Sequence, residues 1–163
     1  GTGNMKAALN GALTIGTLDG ANVEIREEVG ADNIFIFGHT ADEVDAIRRS
    51  GYRPSEWIAK DAELAQAIDT IASGALDGNR PGIFRPIVDS LTQYDYHQLC
   101  ADFRSYLDCQ ERAAAAFARP DDWWRMSIRN VAGMGKFSSD RTTQEYADEI
   151  WNVKRVDPVV TVR

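Results

Sequence analysis

The sequence predicts an α/β layer in its first third and packed helices after it. Three observations carry this. Strand-like and helix-like stretches alternate between Asn4 and Ser50, as in an α/β layer. Asn33-Ile-Phe-Ile-Phe37 is a near-continuous apolar run, the pattern of a strand buried on both faces of a parallel sheet. From Pro54 onward the apolar residues recur at helical spacing.

A helix-forming run starts at about Asn4 and is followed by a short strand, Ala12-Leu-Thr-Ile-Gly-Thr17. The strand ends in Leu18-Asp19-Gly20, where Asp19 is the expected N-cap of a helix from about Gly20 to Val29, closed by Gly30. After the second strand, Thr40-Ala-Asp-Glu43 has the form of a capping box and opens a helix to about Ser50 that stops at Gly51. Two strands are too few for an independent sheet. The Val159-Val-Thr-Val162 stretch follows Pro158 without a turn signal leading back, so the rest of the sheet is expected upstream.

In the second part, Ile58, Leu64, Ala67, Ile68 and Ile71 have helical spacing, with Gly74 as the stop. A loop from Ala75 to Gly82 precedes the face formed by Phe84, Ile87, Val88 and Leu91. A tyrosine-rich turn, Tyr94-Asp-Tyr-His97, leads to a long helix, about Asp102 to Ala118, with Phe103, Tyr106, Leu107 and Phe117 expected inside. Pro120 opens the next helix, with Trp123 or Trp124, Met126 or Ser127, Ile128 and Val131 recurring along it, and Gly133 and Gly135 close it. Ser138-Ser-Asp-Arg-Thr142 is expected to cap a last helix with Tyr146, Ile150 and Trp151 on its apolar side.

The 163 residues are enough for a real core, and 44% hydrophobic with 26% charged residues is ordinary for a globular protein. A net charge of −7 gives no counterion-release affinity for nucleic acid, which excludes DNA and RNA as primary partners. No apolar run approaches the ~20 residues of a membrane helix, and no signal peptide is present, so a cytoplasmic protein is expected. Cys100 and Cys109 lie more than two helical turns apart and are expected as free thiols.

The first ten residues break a local rule. Gly1-Thr2-Gly3 precedes the first helix, and Lys6 sits in its first turn, where free N–H groups already carry partial positive charge. The same features suit a phosphate: glycines permit close approach, amides point outward and a lysine can reach the ligand. Partial positive charge also favours a neutral amine, the form that attacks an aldehyde to make a Schiff base. From the residues alone, a lysine in a solvated first turn remains the plainer alternative. The P-loop pattern is absent.

Gly1-Thr-Gly-Asn-Met-Lys6, then Leu9 to Glu24, resembles the pyridoxal-phosphate site of the glycogen and maltodextrin (α-glucan) phosphorylases. The likeness continues through Asn33–Gly38, Phe137–Thr142 and Ile150-Trp151, almost the whole chain up to about Val156. It implies an incomplete Rossmann-like C-terminal domain of a two-domain, GT-B type glycosyltransferase, followed by a helical C-terminal region. Residues 1–52 would end the cofactor domain, 53–156 would be helices packed on it, and 157–163 a flexible tail. The chain starts inside the glycine loop without an initiator methionine, which leads us to expect a fragment, inactive alone, whose partner is the missing N-terminal part.

The resemblance further implies that Lys6 carries pyridoxal 5′-phosphate through a Schiff base, that Thr2 and Gly3 lie against its phosphate, and that Gly1 gives a backbone amide to the glucosyl unit. The implied reaction is phosphorolysis: α-1,4-glucan and inorganic phosphate give glucose 1-phosphate. Lys6 would be the anchor, with no acid, base or nucleophile supplied by this stretch and no metal. The parent is expected to be a homodimer. Two rival readings remain: a non-catalytic interaction module, and a nucleotide-sugar glycosyltransferase of the same architecture, which needs no Schiff-base lysine.

For His39, at a strand end, a solvated loop position is the leading expectation, with ligand contact the alternative. His97 is expected to be structural. The Lys136–Arg141 turn offers an anion contact, although capping suffices to explain it. The four tryptophans are read as core or domain-contact residues ahead of sugar-stacking platforms.

Overall fold

The computed structural model describes residues 2–78 and 80–154. These residues are mostly helical around one small sheet. The expected Val159–Val162 stretch and the tail 157–163 lie outside the described residues, as does Gly1.

Helix α1 (Gly3–Leu9) leads into strand β1 (Ile15–Gly16); helix α2 (Ala21–Val29) and a 3-10 turn (Ala31–Asn33) lead into strand β2 (Phe35–Ile36). The strands pair in parallel, Ile15 opposite Phe35 and Gly16 opposite Ile36. Backbone bonds from Phe35 N–H to Thr14 and from Phe37 N–H to Gly16 hold the pair. Both strands are shorter than their apolar stretches. Asn33 belongs to the turn instead, where its side-chain amide donates to the Val29 carbonyl at 2.7 Å.

The expected burial on two faces is present. Ile34 joins Ala8, Ile25, Val29 and Met134 on one side, with Ile36 packed against them. Phe35 joins Cys109, Ala113 and Ala116 on the other, with Phe37 and Trp123 beside them.

Asp19 is not the N-cap of α2. Gly20 holds that position at φ +48°, and the Asp19 carboxylate instead accepts the Thr17 hydroxyl at 3.0 Å. The Thr40 capping box forms as expected: Glu43 N–H donates to the Thr40 hydroxyl oxygen, and Thr40 N–H to the Glu43 carboxylate, opening α3 (Ala41–Arg49).

Helix α4 (Pro54–Lys60) and helix α5 (Ala62–Ala72) are separated at Asp61, whose carboxylate accepts the Glu63 and Leu64 N–H groups and caps α5. Helix α6 (Arg85–Asp89) passes into a π-helical turn (Ser90–Tyr94). A third cluster, Leu64, Ile68, Val88 and Cys100, ties these elements to helix α7 (Leu99–Phe117).

The inner face of α7 differs from expectation. Phe103 packs inward, but Tyr106 and Phe117 are exposed, and the sheet side is made of Cys109, Ala113 and Ala116. Small residues let the helix approach the sheet closely. Helix α8 (Pro120–Gly133) likewise buries Ser127 and Asn130 and leaves Trp124, Ile128 and Val131 exposed. It packs against loop backbone, which needs hydrogen-bond donors: Ser127 Oγ donates to the Gly11 carbonyl at 2.7 Å, and Asn130 Nδ2 to that of Asn33 at 2.8 Å.

A 3-10 turn (Met134–Phe137) leads to helix α9 (Ser139–Glu145) and a π-helical turn (Tyr146–Trp151). Ser138 holds the cap position of α9 without a side-chain bond, and Tyr146, Ile150 and Trp151 are exposed, the Tyr146 and Trp151 rings meeting at 5.6 Å. Both cysteines are free and buried. Among the described residues no helix is long and apolar enough to cross a membrane.

Candidate functional site

Helix α1 is fixed at its back and open at its front. Ala8 is fully buried among Ile25, Val29 and Met134, and Asn4 Nδ2 donates to Asn22 Oδ1 at 2.9 Å. Gly11, at φ +86°, turns the chain from α1 toward β1 under the Ser127 hydroxyl. The N-terminal face meets nothing comparable. Thr2 stands at the cap position with no side-chain bond, and the first turn holds no acidic residue. No described residue accepts from the Gly3 or Asn4 N–H groups. A Cβ built on Gly3 would find no atom within 4 Å, so the chain's own packing does not call for glycine there.

Lys6 is exposed and has no ion-pair partner among the described residues. It lines a cavity of about 400 Å³ with Met5, Leu9, Met134, Gly135, Phe137, Ser138 and Ser139. Thr2 and Gly3 are not in that lining. They lie one helical turn away, where the Thr2 carbonyl accepts the Lys6 N–H at 3.2 Å. The geometry therefore brings an accessible amine, free backbone amides and an open glycine to one helix start. Such a start suits an anion, and the amine beside it suits an aldehyde. Ser138 and Ser139, far along the chain from Lys6, were readable in the sequence as caps within a turn that also offered an anion contact.

His39 is not a solvated loop residue. Its backbone N–H donates to Asp102 Oδ1 at 2.9 Å, its Nδ1 lies 2.6 Å from the same oxygen, and its ring meets Trp57 edge-on. Gly38 N–H donates to Ser105 Oγ. Nothing in the sequence around His39 pointed to Asp102, because the pairing joins a strand end to a helix 63 residues later. The Lys136–Arg141 turn is already neutralised: Lys136 pairs with Glu28 at 2.9 Å and Arg141 with Glu145 at 3.1 Å. The Glu28 carboxylate holds the Lys136 ammonium above its usual range. Trp57 and Trp123 pack against other rings; Trp124 and Trp151 are exposed, Trp151 beside the Tyr146 ring. His97 is exposed beside Tyr96. Among the described residues no group of His, Cys, Asp or Glu is arranged to hold a metal.

The model of the carbohydrate phosphorylase family matches residues 1–153. The chain belongs to that family. It is 53% identical over 156 residues to the glycogen phosphorylase of Synechocystis sp., covering 96% of this chain and 18% of that relative. It is 49% identical to the glycogen phosphorylase of Haemophilus influenzae over 156 residues, 96% of this chain and 19% of the relative. The muscle form from Oryctolagus cuniculus is 49% identical over 154 residues, 94% of this chain and 18% of the relative. The chain thus spans less than a fifth of the length of these carbohydrate phosphorylases.

Proposed function

We propose that this chain supplies the cofactor-holding C-terminal part of an α-glucan phosphorylase, with Lys6 bound covalently to pyridoxal 5′-phosphate. The observation that carries it is the open start of α1, with its free amides and unpaired lysine, in a chain of the carbohydrate phosphorylase family. The residues present fit the group. Lys6 holds it, the Gly3 and Asn4 amides and the Thr2 hydroxyl bind its phosphate, and the bare Cα of Gly3 lets that phosphate come close. When bound, the cofactor supplies a phosphate for acid–base chemistry against the substrate phosphate. Lys6 fixes its position and takes no part in proton transfer. Gly1, outside the described residues, gives its amide to the glucosyl unit. Substrates are an α-1,4-glucan and inorganic phosphate, and the product is glucose 1-phosphate.

The finer fold reading is a Rossmann-like domain of GT-B type ending at about residue 52, with helices 53–156 packed on it. The open sheet supports it. The carbonyls of Thr14 and Gly16 face β2, so Ile15 between them presents its N–H and C=O to the other edge of β1. The outer edge of β2 is covered, since Arg112 donates to the Ile36 carbonyl at 2.9 Å. Further strands would add beside β1. With the rest of the pocket on that side, the 163 residues alone would be inactive, and a complete enzyme would be a homodimer.

The test uses the Synechocystis relative with its matching segment replaced by this sequence. After incubation with pyridoxal phosphate and borohydride reduction, digestion is expected to yield a pyridoxyl peptide containing Lys6. Lys6→Ala should abolish both the label and glucose 1-phosphate release. A label on Lys60, Lys136 or Lys154 instead, or none, overturns the proposal.

A further inference from the structure

The turn before α7 presents a surface that the Lys6 site does not use. Thr92-Gln-Tyr-Asp-Tyr-His-Gln98 contains no aliphatic side chain. Tyr94 and Tyr96 are 74% and 77% exposed, the most exposed large hydrophobic side chains among the described residues. Gln93 and His97 are exposed beside them, and the His97 ring meets Tyr96 edge-on at 5.0 Å.

The backbone beneath these rings is held firmly. Asp95, at φ +30° and buried, accepts the Leu99 and Cys100 N–H groups at 2.8 Å and the Tyr52 hydroxyl. Gln98, at φ +56° and buried, donates to the Val44 carbonyl, and its Oε1 has no partner. Two non-glycine residues in the left-handed region within four positions are costly and persist only where surrounding bonds enforce them. Capping of α7 accounts for the buried Asp95. It does not account for two tyrosines turned to solvent on either side of it.

The exposed face of α8 is different in kind. There Trp124 shares its stripe with the aliphatic Ile128 and Val131, a composition suited to protein contact. The tyrosine turn offers rings with hydroxyls, an amide and an imidazole. That combination suits a sugar, whose C–H face lies on an aromatic ring while its rim hydroxyls need polar partners.

We propose that the Tyr94–His97 turn is a docking platform for an α-1,4-glucan chain, distinct from the Lys6 site. Tyr94 and Tyr96 supply stacking faces, and Gln93 and His97 bond the sugar hydroxyls. The inference rests on the glucan reading given above. It places glucan contact on this chain itself, away from the reacting centre.

The experiment is native electrophoresis of the Synechocystis chimera carrying this sequence, through gels containing glycogen. Y94A/Y96A is expected to bind glycogen about tenfold more weakly than the unsubstituted chimera, the scale of losing two ring contacts. Y94F/Y96F should be retarded as the unsubstituted chimera is. Both double variants should keep its thermal midpoint, because the rings are exposed. Equal retardation of Y94A/Y96A and the unsubstituted chimera overturns the platform. The Lys6 label is read in the same proteins. A labelled chimera whose retardation Y94A/Y96A leaves unchanged refutes the platform alone, and an unlabelled chimera whose retardation Y94A/Y96A weakens refutes the Lys6 assignment alone.

Discussion

Gly38 turns the chain from β2 toward α3 at φ +78°, and a Cβ built there would lie 2.7 Å from Asp102 Oδ2. Both constraints are independent, so Gly38→Ala is expected to lower stability by about 2 kcal/mol, read from urea unfolding. Cys100 gives a chemical prediction. Burial, reinforced by the Asp95 charge, pushes its thiol up to about 12. A thiol-specific reagent at pH 8 should leave it unmodified until the chain unfolds. Because the raised value favours the protonated thiol in the native state, its contribution to stability is complete below the ordinary thiol value of about 8.5. It is lost as pH rises from there through the folded value. At this scale the sequence was only partly legible. The Thr40 capping box was readable because its partners lie within one turn. Asp19 was misplaced because Thr17 competed for its carboxylate, and the His39–Asp102 pair spans too much chain to be inferred.

Among the elements, α3 and the α4–α5 corner show two kinds of start. Thr40→Ala should cost about 1 kcal/mol, the usual loss when a side-chain cap is removed, measured by thermal unfolding. At Asp61 the carboxyl is held below its usual range, chiefly by the Leu64 N–H, with Arg104 adding to it. A lowered value stabilises the fold above the unfolded value of about 4 and ceases to do so as pH falls through the folded one. Asp61→Asn should therefore lower the thermal midpoint at pH 7 and narrow its gap to the parent near pH 3. Helical spacing revealed that α7 and α8 exist but not which face turns inward. Apolar size suggested Phe117 and Ile128, whereas closeness to the sheet selected Ala113 and Ala116, and donors for loop carbonyls selected Ser127 and Asn130.

At the scale of the molecule, apolar packing among the described residues is divided among three modest clusters rather than gathered into one core. The first carries α1, so its centre is a sensitive point. Ile25 is fully buried there, and Ile25→Ala should cost about 2–5 kcal/mol, observed as an earlier midpoint in urea. Alternation of strands and helices was readable because it is a local pattern. One feature sets an order in time. The helix bearing Lys6 rests on Met134, so a ribosome making this chain releases the lysine early and its support much later. At the usual synthesis rate the interval is roughly 6–25 s. Through that interval the amine is carried on an unsupported segment, and the start of α1 gains its final packing only after Met134 has emerged.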